Sequence, residues 1–252
     1  MMSTINSEHE ANVVFLELNH GVTNAINSQV VQELSESIQA VKSNPNIHAV
    51  VLTSSNDKFF SIGLDIPALI DLDEQDFTVF YKSFNRLCLD LFALPKLTIA
   101  AITGHAVAGG CILALCCDYR FVAEGRNLMG LNEIKLGVPV PYPADCILRN
   151  LVGDRNARDI MYHGEFYPPE DAFQLGLVDR IPPEEQLRPT VIKTAETLGA
   201  DSPTAFQLIK RNRVEPIITR VHAGLEEREQ LFVERWYSDF TRGKLREAIE
   251  KF

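Results

Sequence analysis

An α/β fold is predicted by three features of the sequence: short apolar runs of strand character, amphipathic helical stretches between them, and a change to mostly helical pattern beyond Pro143. The strand–helix alternation of the first part implies parallel strands joined by right-handed crossovers. The remainder reads as a helical cover.

Each element has its own warrant. "NVVFLELN", Asn12 to Asn19, reads as a strand because it is rich in β-branched and large apolar residues. Asn24 or Asn27 can cap the next helix, whose apolar positions Val30, Val31, Leu34, Ile38 and Val41 recur at helical spacing. "IHAVVLTSS" is nearly continuously apolar, as expected of a strand covered on both faces. A second helix is predicted from Glu74 to Leu94, with Phe77, Phe80, Phe84, Leu87 and Leu91 on one side. "LTIAAIT" is another buried strand, "AGGCILALCC" a short buried helix and "DYRFVA" a returning strand. "RNARDIMYHG", "PPEDAFQLG" and a charged amphipathic tail from Glu215 to Phe252 supply the helical cover. The tail's mixture of charge and apolar residues suits packing on a neighbouring subunit.

The bulk composition narrows the function. With 252 residues, 46% of them hydrophobic, the chain can bury one large core. Its 34 acidic against 24 basic residues leave a formal charge of −10, which argues against a nucleic-acid binder with a basic face. A local basic pocket for an anionic ligand is compatible with that total. Cys111, Cys116 and Cys117 lack the His or Cys pair that would complete a tetrahedral metal set, and read as small buried apolar residues. Five cysteines without disulfide-framework spacing suit a reducing cytoplasm. The N-terminus has no basic stretch followed by an apolar run, so no signal peptide is expected. Leu97 to Cys117 carries no formal charge and is long enough to cross a bilayer. Thr103-Gly104-His105 and Gly109-Gly110 interrupt it, however, and a strand, a turn and a helix explain the same residues, so no membrane span is expected.

Three segments hold candidate chemistry. In "MGLNEIKLGVPVP" the carboxylate of Glu133 sits among Leu131, Ile134 and Leu136, either as a loop or paired core charge or as a reactive group. In "GHAVAGGCILAL", Gly109-Gly110 precede an apolar helix and expose backbone N–H groups suited to an anion or a developing oxyanion. Tight packing of helix on sheet would call for the same glycines. The third segment is "FFSIGLDI", Phe59 to Ile66. No dinucleotide fingerprint or phosphate-loop lysine is present at the glycine pair.

Taken together, "FSIGLD", "PKLTIAAITGHAVAGG", "CDYRFVAE", "GLNEIKLG" and "PPEDAFQLGLVDRI" resemble the crotonase (enoyl-CoA hydratase/isomerase) superfamily over nearly the whole chain. The resemblance implies a ββα spiral core over residues 1–195 carrying an acyl-CoA site. Residues 196–252 would form a C-terminal helical trimerisation segment within the same compact unit. It implies that the backbone N–H groups of Leu64 and Gly109 bind the thioester oxygen, and that the CoA arm runs along Ile62, Gly63, Leu64, Asp65 and Ile66. Ala25 would lie near the nucleotide portion, and Asn132 would line the acyl pocket. Asp65 reads as holding its loop, Asp145 as a first-turn helix carboxylate, and His105 as a strand-end residue satisfied by backbone.

The chain departs from the hydratases at one position. Where they carry a glutamate in "GGCEL", this sequence has Ile112, while the second glutamate is present as Glu133. Hydration divides its proton work between two carboxylates, whereas a proton shuttle needs one. "GLNE" after "AGGC" plus an apolar residue looks like the mitochondrial-type Δ3,Δ2-enoyl-CoA isomerases. The resemblance thus implies a cofactor-independent isomerase, CoA being part of the substrate, assembled as a homotrimer or a dimer of trimers in the cytoplasm. A thioester hydrolase is the alternative reaction, and a non-catalytic acyl-CoA binder is the alternative of another class.

Overall fold

Two β-sheets divide the work of the fold, one building the core and the other the site. A computed structural model describes residues 3–199 and 203–250. The chain opens with a hairpin of β1 (Ile5–Glu10) and β2 (Val13–Leu18), followed by α1 (Ser28–Ser43) and β3 (Ala49–Ser54). Then come β4 (Phe59–Ser61), α2 (Ile66–Leu69), α3 (Glu74–Phe92), β5 (Leu97–Ile102), β6 (His105–Val107) and α4 (Gly109–Leu115). β7 (Tyr119–Val122), β8 (Met129–Gly130), α5 (Glu133–Leu136) and α6 (Tyr142–His163), which bends at Gly153, lead into β9 (Phe166–Tyr167) and α7 (Pro169–Leu175). Three helices finish the chain: α8 (Glu184–Gly199), α9 (Pro203–Trp236) and α10 (Asp239–Ile249).

The larger sheet has the order β1-β2-β3-β5-β7. Its strands β2, β3, β5 and β7 are parallel, as the alternating pattern predicts, and both faces are covered. Along β2, Val13 and Phe15 pack towards Leu187, Val191 and Ala195 of α8, while Val14, Leu16 and Leu18 face the main core. The expectation of parallel strands fails at β1, which pairs antiparallel with β2. It is a mostly exposed edge strand, so its residues "INSEHE" carry no apolar signal.

The smaller sheet, ordered β4-β6-β8-β9, is made of strands two or three residues long. β4, β6 and β8 are parallel, and β9 closes the edge antiparallel to β8. Such short strands have no periodicity to read.

Of the two proposed caps for α1, Asn27 is the one used: its side chain accepts from the Val30 N–H at 3.1 Å. Asn24 instead turns inward, buried at positive φ, and its amide donates to Ser54 Oγ and to the Phe59 and Phe60 carbonyls. The tail helix begins at Pro203 rather than at Glu215, and runs through Pro216 without ending. It packs on its own chain. Asn85 of α3 donates to Glu229 of α9 at 3.0 Å, and Tyr237 donates to the Leu72 carbonyl at 2.7 Å. Residues 251 and 252 of the predicted tail lie outside the described residues, and position 195/196 falls within α8. All five cysteines are free and buried. Among the described residues no helix is long and apolar enough to cross a membrane, and no group of His, Cys, Asp and Glu gathers as a metal site.

Candidate active site

β4 and β6 run parallel with Phe59 opposite His105 and Ser61 opposite Ala106, so the chain leaves both strands in the same direction. The segments that follow, Ile62 to Leu64 and Ala108 to Gly109, therefore emerge side by side. Gly63, at φ +94°, and Gly109 are where they meet. A β-carbon at Gly63 would stand 2.7 Å from the Gly109 nitrogen, and one at Gly109 would stand 3.3 Å from the Leu64 nitrogen.

The loop is pinned by the N–H of Ile26, which donates to the Gly63 carbonyl at 2.8 Å, and by the N–H of Asp65, which donates to the Ile26 carbonyl at 3.0 Å. The Gly63 N–H is taken by Ser61 Oγ at 3.1 Å. Neither the Leu64 nor the Gly109 N–H donates to a group among the described residues. Gly110 has the other role foreseen for the pair: a β-carbon there would overlap the Ser61 carbonyl, so this glycine seats α4 on β4.

The residue between β6 and α4 is strained. Ala108 sits at φ +49°, ψ −124°, a region that costs a residue with a β-carbon on the order of 1–3 kcal/mol. Its own N–H donates to the Gly130 carbonyl and its carbonyl accepts from Ile112, each at 2.9 Å, so neighbours on both sides hold it there.

β8 lies beside β6, with Ala106 opposite Met129 and Val107 opposite Gly130, and so delivers the next residues to the same end of the sheet. Glu133 starts α5 there, only 6% exposed. Its Oε2 is buried without a partner. Burial pushes the carboxyl up to about 7, against a small opposing contribution from a backbone hydrogen bond.

These groups surround one cavity of about 430 Å3, within the range usual for small-molecule sites. Ala25, Ile62, Leu64, Asp65 and Ile66 line one side, and Gly109, Asn132 and Glu133 another. Gly63, also expected at the ligand, does not line the cavity. It lies behind the loop, where its lack of a side chain brings Leu64 up to Gly109. Asp65 also holds its loop, accepting from the Ala68 N–H at 3.2 Å as the cap of α2. The Asn132 Oδ1 is buried and unpartnered.

His105 accepts from the Leu128 N–H through Nδ1 at 3.0 Å, and burial, with the nearby Lys58, lowers its pKa. Asp145 pairs with Arg149 at 2.6 Å in the first turn of α6, in keeping with its helix-end reading. Ile112 is 1% exposed and lines the cavity, so an apolar side chain occupies the position of the missing glutamate.

Sequence reasoning missed the cavity's far wall. Phe84 of α3, Phe232 and Trp236 of α9, and Ala248 and Ile249 of α10 all line it. Their helical spacing marks them as core residues, and nothing in that spacing distinguishes core from cavity wall.

The arrangement is a small-molecule-sized cavity with two unengaged backbone donors and one buried carboxyl group in apolar surroundings. The enoyl-CoA hydratase/isomerase family profile matches residues 8–252. The human enoyl-CoA delta isomerase 1, mitochondrial, is 29% identical over 242 residues, spanning 96% of this chain and 80% of that one. The crotonyl-CoA hydratase of Syntrophomonas wolfei is 29% identical over 219 residues, 86% and 84% of the two chains. The crystal structure of human mitochondrial Δ3,Δ2-enoyl-CoA isomerase superposes with a TM-score of 0.95 at 28% identity, covering 98% of this chain and 97% of the other. The chain belongs to the enoyl-CoA hydratase/isomerase family and has the crotonase fold.

Proposed function

We propose that the chain is a Δ3,Δ2-enoyl-CoA isomerase. The observation that carries this reading is the pairing of one buried carboxylate, Glu133, whose Oε2 is unpartnered, with an apolar Ile112 where a second carboxylate would serve hydration. Glu133 removes a proton from C2 of a 3-enoyl-CoA, giving a dienolate whose negative charge rests on the thioester oxygen. The Leu64 and Gly109 N–H groups donate to that oxygen as an oxyanion hole, each such donor being typically worth about 10²–10³ in rate. The protonated Glu133 then returns its proton at C4, and the double bond ends between C2 and C3. No external acid, base or cofactor enters the balance. A carboxyl group whose pKa is about 7 is suited to both halves of this shuttle, because it gives up and takes a proton near neutral pH.

Ile62 and Ile66 flank the CoA arm on this reading, with Ala25 towards the nucleotide and Asn132 at the acyl chain. A trimer-based assembly using residues 196–252 and a cytoplasmic location belong to the same reading. The test is a coupled assay on trans-3-hexenoyl-CoA and crotonyl-CoA. Conversion of the first with little hydration of the second, lost in Glu133→Gln, is expected. Release of free CoA would replace the isomerase with a thioester hydrolase, and tight CoA binding without turnover would leave an acyl-CoA-binding protein. Installing Ile112→Glu is expected to raise crotonyl-CoA hydration above the parent's level while lowering isomerisation, since a second carboxylate beside Glu133 disfavours its ionised form.

A further inference from the structure

The cavity has an open and a closed end. Ala25, Ile62, Asp65 and Ile66 are partly exposed and form its mouth, whereas Phe84, Ile112, Phe232 and Trp236 are all 2% exposed or less and form a blind end. A thioester held at Leu64 and Gly109 with its CoA arm at the mouth directs its acyl chain to that blind end. We propose that Phe232 and Trp236, carried by α9 and backed by Phe84, set the longest acyl chain the site accepts. This rests on the acyl-CoA reading above and adds the residues that measure the acyl group.

The wall is built to hold its place. Trp236 stacks on Phe77 with ring centres 4.3 Å apart, and Phe232 stacks on Tyr81 at 4.0 Å. Phe77 also stacks on Phe232, so α3 and α9 share one aromatic layer behind the cavity. Both ends of this stretch of α9 are tied down: Glu229 accepts from Asn85 at 3.0 Å, and Tyr237, just past Trp236, donates to the Leu72 carbonyl at 2.7 Å. A chain that reaches this layer meets close-packed aromatic rings, with the buried Phe77 and Tyr81 directly behind them. Close-packed interiors yield little to an added methylene, so affinity stops rising when the chain touches the layer. The measuring residues thus come from the tail, far along the chain from the loops that hold the thioester.

The test is calorimetric titration of the full-length chain with saturated acyl-CoAs of four to sixteen carbons, beside Phe232→Leu, Trp236→Phe and Ile112→Phe. The parent's affinity is expected to rise roughly fourfold per added methylene and then break. Phe232→Leu and Trp236→Phe move that break to longer chains, and Ile112→Phe moves it to shorter ones. Circular dichroism identifies any variant that fails to fold, and three independent changes keep the test decisive if one does. A parent affinity that climbs without a break, or a break unmoved in the folded variants, overturns the inference while leaving the isomerase reading intact. Absence of acyl-CoA binding by the parent overturns both.

Discussion

Two buried carboxylates bracket the stretch between α4 and α5, and they are treated in opposite ways. Asp118, just past α4, has a side chain 8% exposed that accepts from the Thr98 N–H and hydroxyl, each at 3.0 Å, and from Lys210 Nζ at 2.6 Å. Glu133 is also buried but has no cation beside it among the described residues, and one of its oxygens is unpartnered. A buried charge with a full set of donors ties elements together; here it fastens α9 to β5. A buried carboxyl with no cation and one unpartnered oxygen holds its proton more tightly than usual, which is costly to the ionised form in the fold and useful for moving protons. The contrast separates an anchor from the group proposed to react.

The contrast can be broken first at the reactive end. Glu133→Gln is expected to lower kcat for 3-enoyl-CoA isomerisation by about 10²–10⁴ with no loss of thermal stability at neutral pH, measured by assay and thermal unfolding together. At the anchor the expectation reverses. Lys210→Met removes the buried cation and leaves Asp118 only the more exposed Arg213 at 3.9 Å; it should cost about 3 kcal/mol, a fall in Tm of about 10 °C at roughly 2–4 °C per kcal/mol. Turnover of the remaining folded enzyme should stay within about twofold of the parent, because neither residue lines the cavity.

A finer comparison uses pH. The folded pKa of Glu133, about 7, lies above its ordinary value of 4.5, so the folded chain holds the extra proton between those values. Its contribution to stability is therefore fully present below pH 4.5 and is lost as pH rises through about 7, a change on the order of 3 kcal/mol. Relative to the parent, Glu133→Gln should gain stability across that window and level off above it, as pH-dependent denaturant unfolding would reveal. Over the same range the parent's kcat/KM should rise with pH, because the base is the deprotonated form. A pH-independent stability difference would mean that Glu133 is solvated.

Much of the larger sheet was legible because its strands are buried on both faces and its helices are amphipathic. β1 was not, being an exposed edge whose residues are almost wholly polar, and the tail read as starting at Glu215 belongs to a helix that begins at Pro203 and continues through Pro216. The smaller sheet escaped notice since two- and three-residue strands have no period. At the site, the motif resemblance pointed to Leu64, Gly109 and Glu133, and the structure brings all three to one cavity. The strained Ala108 was invisible because a backbone angle forced by neighbours on both sides leaves no mark on residue type.

The parallel pairing of β4 with β6 has a consequence for how this site can change over generations. On the proposed reading its two oxygen-binding donors are main-chain groups delivered by strand register, so they are spelled by no particular codon. At position 64, a missense change leaves the N–H in place unless it writes proline. At position 109 the crowding against Gly63 narrows the choice further. The groups around them, Glu133 and Ile112, are ordinary side chains that substitution can exchange without touching those donors. A lineage built this way can exchange one reaction for another while its grip on the thioester stays heritable.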